Sequence, residues 1–347
     1  MSSKNGRKPA GSPAGPYGGF QAVRRWRDQL RESDLATVAT PLSPAGLHLV
    51  LHDAIEMLDD ETLDEVAAMP GAPFATAAMA VPRTVPTAPI EWCAVLLGRG
   101  TRLVLKPPAG EPGLVPILVA AAGAVGLPLT QGEGHGALAG AALVVVMGED
   151  DTVRSVRQHH PHATVLGFGH TFSVAYAATD AAIEEVARDA IRFDGRGCLS
   201  PVALLSPRPL EEACGALAAA MERAQGDVPR GTITPAEGAA IRTRRARARA
   251  EGVVHEGDGW SVHGLPPERF EPVGLPRSLS VHHATEATLD RLLAPHAGAL
   301  STFATDGPAP PWPHVRICRP GEMQRPPLIR QHDGIDWLAA TLRGRSV

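Results

Sequence analysis

The chain has 347 residues and a formal net charge of −4, which gives no general case for binding nucleic acid or an anionic membrane surface. Its four cysteines, Cys93, Cys198, Cys214 and Cys318, are widely spaced and form no CxxC pair, which argues against a zinc site or disulfide framework and for a reducing cytoplasm. No stretch reaches the roughly 18–20 apolar residues of a membrane span, and with aromatics at only 4% the core must be filled by Ala, Val and Leu.

Residues 1–19 are basic, rich in Gly and Pro and without an apolar h-region, so they read as a disordered leader and not as a secretory signal. From 20 to 70 the chain reads as three helices, FQAVRRWRDQLRE, LSPAGLHLVLHDAIEML and DDETLDEVAAM, that pack around a later sheet. That sheet begins near Phe74. An apolar strand, a Pro-rich turn, a helix from about Thr87 to Leu97, a Gly98-Arg99-Gly100 turn and a strand over Arg102–Leu105 make a β-α-β unit with a right-handed crossover. GLVPILVAAAGAVGLP continues as a helix, ALVVVM as a buried strand ending in Gly148, DDTVRSVRQHH as a helix and ATVLGF as a strand. This alternation predicts a doubly wound, mostly parallel sheet, whose ligands bind at the carboxyl ends of the strands. Gly132, Gly134 and Gly136 do not open a helix directly after a strand, so they are no dinucleotide fingerprint.

The rest is organised around residues 180–201, DAAIEEVARDAIRFDGRGCLSP. Ile183, Val186, Ala187, Ala190 and Ile191 repeat at helical spacing, with Asp180 as the expected N-cap. Asp194-Gly195-Arg196-Gly197-Cys198 then stops the helix, and Pro201–Leu205 reads as a buried strand. A cysteine fixed in such a turn can present its sulfur, and a cation such as Arg196 would favour the thiolate, the form that attacks carbonyl carbon.

Residues 202–318 read as a second α/β unit. PLEEACGALAAAMERAQG is a helix, and TPAEGAAIRTRRARARAEG opens on a capping box, Thr234 to Glu237, with Pro235 at the first helical position. Its run Arg242, Arg244, Arg245, Arg247 and Arg249 reads first as a solvated helix face and second as a site for a phosphate or a carrier-protein surface. His282 and His283 adjoin but lack a partner at ligand spacing, so no metal is expected. A Pro-rich connection, a final strand in HVRIC and a closing helix from about Gly334 complete the chain.

The segment LGFGHTFSVAYAATDAAIEEVARDAIRFDGRGCLSP, with Gly169, Asp180, Gly195 and Cys198, resembles the approach to the nucleophile in the aldehyde dehydrogenase superfamily. VPTAPI…LLGRGTRLVLKPPAGEPG is similar to that superfamily's region from its active-site Asn to its K-P-S-E motif, and VVVMGEDDTVRSVR to its pyrophosphate-receiving strand, glycine and helix. HVRICRPGEMQRPPLIRQHDGIDWL, through Arg316, Gly321, Met323, Pro326, Pro327, His332, Asp333 and Gly334, resembles the acyl-CoA reductases typified by the fatty acid reductase of bacterial luminescence. Together the matches cover about residues 75–340.

The resemblance implies an aldehyde-dehydrogenase-like fold: a nucleotide-binding domain over 20–167 plus 319–347, and a catalytic domain over 168–318. It implies Cys198 as nucleophile, Thr84 (with Arg83 as the second candidate) in the place of the oxyanion-stabilising Asn, and Lys106, Gly148 and Gly169 on the cofactor, NADPH with NADH as the second choice. The implied reaction is reduction of a fatty acyl thioester, acyl-CoA or acyl-carrier protein, to an aldehyde through an acyl-cysteine, by a homo-oligomer with no membrane span. The departures are equally specific. Leu166 stands where hydrolytic relatives place a water-activating Glu, which disfavours an oxidising aldehyde dehydrogenase, and Glu149, Asp150 and Asp151 crowd a helix start meant for an anion. A catalytically degenerate relative acting as a binding or assembly partner is the alternative.

Overall fold

The computed structural model describes residues 16–344 except Thr37 and Val273. Helix α1 (Pro16–Arg31) already begins inside the stretch expected to be a leader; residues 1–15 lie outside the described ones. It is followed by α2 (Pro44–Glu56) and α3 (Asp60–Ala68), both started by side-chain caps, Ser43 and Asp59.

The first sheet uses β1 (Thr76–Ala80), β2 (Arg102–Lys106), β3 (Leu129–Gln131), β4 (Leu143–Met147) and β5 (Thr164–Phe168). Between them run α4 (Pro89–Gly98), α5 (Val115–Ala124) and α6 (Asp150–His159). The spatial order is β3-β2-β1-β4-β5, every pair parallel, so the doubly wound reading holds. The crowded glycines Gly132, Gly134 and Gly136 do follow a strand, the short β3, but open only a four-residue 3₁₀ turn, His135–Leu138. Sequence inspection misses β3 because only Leu129 of its three residues is buried.

Behind this sheet, α1 crosses α4 so closely that a Cβ on Gly19 would lie 2.2 Å from the carbonyl oxygen of Gly98. The Trp26 indole then donates to the Leu118 carbonyl of α5 at 3.1 Å. The N-terminal helices therefore close one apolar core with the sheet, as their periodicity requires.

The second sheet contains β6 (Phe172–Tyr176), β7 (Pro201–Ser206), β8 (Val253–Gly257), β9 (Trp260–Gly264), β10 (Ser278–His283), β11 (Leu300–Thr305) and β12 (Arg316–Cys318). Its helices are α7 (Asp180–Ile191), α8 (Leu210–Asp227), α9 (Pro235–Glu251) and α10 (Glu286–Leu293). The order is β12-β11-β6-β7-β10-β9-β8, parallel throughout except for the β8–β9 hairpin. Thr179, and not Asp180, caps α7: its hydroxyl accepts from the Ala182 N–H at 3.2 Å while Asp180 occupies the first turn. The Thr234–Glu237 capping box forms as expected.

The chain ends back in the first half. Helix α11 (Trp337–Thr341) packs Trp337 against Trp92 of α4, with ring centroids 4.4 Å apart, and Gly344 N–H bonds the Ala72 carbonyl at 2.9 Å. Among the described residues no helix is long and apolar enough to cross a membrane.

Candidate active site

A cleft of about 850 Å³ opens between the two sheets. One wall comes from the loops that follow β1, β4 and β5, the carboxyl ends of the first sheet, where open α/β sheets take their ligands. The facing wall comes from the loops that lead into β7 and β10, together with residues 324–333 beyond β12. Cys198 lies in this wall with part of its surface exposed.

The turn that carries Cys198 is built on unusual backbone. Phe193 and Asp194 have φ of 52° and 55°, and Gly195 and Gly197 have 70° and 103°, so the chain leaves α7 through a left-handed coil. Non-glycine residues hold such angles only where their surroundings over-determine them. Here the surroundings are the Asp194 carboxylate, almost fully buried, which accepts from Arg277 Nε at 2.8 Å, from Arg196 Nη1 at 3.2 Å and from the Gly231 N–H at 3.1 Å. Arg277 N–H in turn donates to the Asp194 carbonyl at 3.0 Å. At Gly197 a Cβ would stand 2.8 Å from Val85, so the turn presses against the β1–α4 loop. Beyond it, the Ser173 hydroxyl donates to the Cys198 carbonyl at 2.6 Å and accepts from the Thr302 N–H at 3.1 Å. The Cys198 N–H donates to no backbone carbonyl outside helices and strands and points toward its own sulfur.

Arg196 does not serve the sulfur as its position in sequence suggests. Its guanidinium turns into the protein, to Asp194, to Glu237 at 2.8 Å and to the Thr232 carbonyl at 2.8 Å. The cation that faces Cys198 is Arg330, held in a two-point pair with Glu91 at 2.8 and 3.0 Å. Burial nevertheless pushes the Cys198 thiol up to about 12, and the nearby Asp333 carboxylate adds to the rise; the Thr171 hydroxyl and Arg330 oppose it. Left to itself, the sulfur is a thiol at neutral pH.

Asp333 enters the site through the H-D-G element. Its Oδ1 accepts from the Ser301 hydroxyl at 2.6 Å and its Oδ2 from Thr171 at 3.4 Å, with φ of 47° at Asp333 and 75° at Gly334. The preceding His332 stacks on Phe168, centroids 4.3 Å apart, and Phe168 rests on Trp92 at 5.8 Å. This aromatic column, continued by Trp337, fixes the C-terminal segment to the first sheet. Burial lowers the His332 imidazole, with Arg330 adding to the effect, so it stays neutral at pH 7.

Of the residues singled out in sequence, Cys198, Thr84, Gly148 and Gly169 meet in this one cleft. Lys106 does not line it; half-buried at the end of β2, it has no side-chain partner among the described residues. Gly148 is open, a Cβ there meeting nothing nearer than 3.9 Å, whereas at Gly169 one would lie 2.1 Å from the Asp150 carboxylate. That carboxylate accepts the His170 N–H at 2.9 Å, so at least one of the three acids at the start of α6 ties two cleft loops together. Leu166 is buried in the first core and does not line the cleft. Thr171, Asp333, Arg330 and the structural role of Asp194 escape sequence reasoning, although the H-D-G and FDGRGC matches name two of them.

The arginine run of α9 is largely committed to partners: Arg245 and Arg249 pair with Glu256, and Arg247 with Glu271 at 2.9 Å. His282 is buried and bonds the Pro266 carbonyl at 3.3 Å, and His283 bonds that of Arg208 at 2.9 Å.

Comparison with known proteins agrees with this geometry. Among solved structures the chain is similar to a gamma-glutamyl-gamma-aminobutyraldehyde dehydrogenase from Burkholderia cenocepacia, with TM-score 0.72 and 16% identity over 88% of this chain and 76% of that one. Aldehyde dehydrogenase 21 from Physcomitrella patens, solved with the reaction product succinate, matches with TM-score 0.72 and 11% identity over 94% and 84%. Betaine aldehyde dehydrogenase from Staphylococcus aureus, solved with NAD⁺, matches with TM-score 0.69 and 14% identity over 88% and 75%. At such identities these likenesses establish the fold, that of the aldehyde dehydrogenases. No curated protein sequence matches. The family model described as Acyl-CoA reductase (LuxC) matches residues 135–343, from the turn after β3 through α11. That match spans more than half of the sequence, and the chain therefore belongs to the acyl-CoA reductase (LuxC) family, oxidoreductases of acyl and aldehyde groups, on the aldehyde dehydrogenase fold.

Proposed function

We propose that the protein reduces a fatty acyl thioester, on coenzyme A or a carrier protein, to the aldehyde through an acyl-cysteine on Cys198. The observation that carries this reading is the position of the Cys198 sulfur, in a cleft walled by both halves of the molecule. On this reading residues 20–167 and 319–347 hold the cofactor and 168–318 the acyl group. Attack of sulfur on the thioester carbon forms the acyl-cysteine and expels the carrier thiol. The developing oxyanion on the acyl carbon takes the Cys198 N–H, which lies beside the attacking sulfur, with the Thr84 hydroxyl on the facing loop as a second donor. Apolar side chains at Met57, Val81, Met147, Phe168, Phe172 and Leu199 line the cleft, which suits an aliphatic acyl group and keeps water from the ester.

A nicotinamide cofactor fits the first sheet in two respects: open space over Gly148 at the end of β4, and the unpaired Lys106 at the end of β2. The acids of α6 oppose a phosphate there, though Asp150 is engaged by His170 and Asp151 by Arg154 at 2.5 Å. When bound, reduced nicotinamide supplies the hydride that converts the acyl-cysteine to aldehyde; we assign NADPH over NADH from the family resemblance. Leu166, which the family resemblance sets in the place of the hydrolytic relatives' water-activating Glu, lies in the core and supplies no base for hydrolysis.

The test is NADPH oxidation with a panel of acyl-CoAs, wild type against Cys198→Ala. We expect turnover in the wild type and none in the variant; equal rates reject the mechanism. The rival reading, a catalytically silent binding partner, draws on the raised Cys198 thiol. Absence of NADPH binding at millimolar concentration, together with no turnover, would decide for it.

A further inference from the structure

We propose that Gln324 is a positioning residue for the nucleophile: its side-chain amide holds the Ser200 hydroxyl that closes the turn carrying Cys198. The inference rests on Cys198 being the nucleophile and adds what fixes the place of its sulfur in the cleft wall.

The turn is built around Ser200, which is fully buried. Its N–H donates to the Gly197 carbonyl at 3.2 Å and its hydroxyl to the Arg196 carbonyl at 3.0 Å. One residue thus closes the loop over Cys198 and Leu199 with backbone and side chain alike. A serine hydroxyl has a single proton. With that proton given to Arg196, the oxygen accepts from Gln324, whose Nε2 lies 2.6 Å away. The same order settles which end of the amide faces Ser200, the nitrogen. A hydroxyl that both donates and accepts cannot rotate without losing a bond, and in a buried place no water replaces the lost one.

Gln324 reaches Ser200 from a segment that is itself anchored. Asp189 Oδ2 on α7 accepts the Gly321 N–H at 2.7 Å and the Met323 N–H at 3.4 Å. Arg316 Nη2 donates to the Glu322 carbonyl at 3.0 Å and to the Met323 carbonyl at 2.6 Å. Met323, next to Gln324, is therefore held by both its N–H and its carbonyl. Gln324 is buried and lines the same cleft as Cys198 and Leu199. Packing alone would be served by an apolar side chain; a buried amide repays its desolvation only through the bonds it makes. The second sheet grips the turn through Ser173 on the Cys198 carbonyl, and the C-terminal segment grips it through Gln324.

The experiment pairs two readouts, alkylation of Cys198 by iodoacetamide at fixed pH, followed on the Cys198 peptide by mass spectrometry, and acyl-CoA turnover. Both are run on wild type, Gln324→Met, Ser200→Ala and the double variant. Met keeps the length of the side chain and removes the donor. Burial holds the Cys198 thiol high, so a loosened turn exposes the sulfur and yields more thiolate. We expect alkylation about tenfold faster in each single variant. Over the same change kcat should fall about 10- to 100-fold with KM for the acyl-CoA little altered, because the sulfur is freed and misplaced at once. Since Gln324 acts through Ser200, the double variant should match Ser200→Ala in both readouts. Gln324→Met alkylating at the wild-type rate or slower overturns the proposal, as do effects that multiply in the double variant or an unchanged kcat beside faster alkylation. Should Ser200→Ala not fold, Gln324→Met decides alone. No substrate enters the alkylation, so faster alkylation in a protein whose wild type reduces no acyl-CoA rejects the function and leaves the positioning of Cys198 standing.

Discussion

The two sheets of this molecule are made of different material. Strands β1 and β4 bury Ala77, Ala78, Met79 and Leu143 through Val146, a run of side chains with nothing to donate or accept. The second sheet buries Ser173, Ser261, His263, Ser278, Ser280, His282, Ser301 and Thr302. Parallel sheets covered on both faces favour the first composition. The second carries the cost of polar burial, and His263 shows it: neither ring nitrogen has a partner among the described residues, and burial drives the imidazole down to about 3. The gain lies at the strand ends, where Ser173 grips the backbone of Cys198 and Ser301 grips Asp333. One sheet is a platform; the other is a clamp on the loops that line the cleft.

Substitutions can break that contrast in graded ways. Asp194→Ala strips the buried Arg277 and Arg196 of their shared carboxylate and should cost the most, about 3–5 kcal/mol in denaturant unfolding; a loss below about 1 kcal/mol would show that the hub is dispensable. Leu105→Ala, in the apolar sheet, should cost about 2–5 kcal/mol by leaving a cavity. Its turnover per folded molecule should stay unchanged, since a platform can loosen without moving the sulfur. Gly197→Ala should do the reverse. A side chain there collides with Val85 and resists φ of 103°, so we expect about 100-fold lower activity with little change in Tm.

The smallest effect concerns Asp189, on the buried face of α7, where burial raises its carboxyl to about 6 against N–H donors from Gly321 and Met323. The folded state then binds a proton more tightly than the unfolded chain. The penalty is absent below the ordinary carboxylate range, grows as pH rises toward about 6, and is full above it. Asp189→Asn should therefore gain about 1–3 kcal/mol over wild type at pH 8 and nothing at pH 4. Parallel Tm curves across that range would refute the assignment.

Legibility in the sequence follows the same division. The first sheet was readable because each buried strand is a short apolar run between helices of clear period; only β3, mostly exposed, escapes. In the second sheet β8, β9 and β11 pass unnoticed, since WSVHG and LSTFAT mix polar residues into buried positions and VVHEG, at the sheet edge, buries none of its residues fully. In the cleft, Cys198, Thr84, Gly148 and Gly169 could be singled out from sequence because each sits in a local motif. Thr171 and Asp333 gain meaning only from a meeting across the fold, and Arg196 misleads because sequence adjacency says nothing about where a guanidinium turns.

The backbone passes between the halves twice, at 168–172 and again at 324–333, and both passages run along the wall of the cleft. Thr171 lies on one passage and Asp333 on the other, so a rotation of the halves about the line that joins the passages would displace these two residues least.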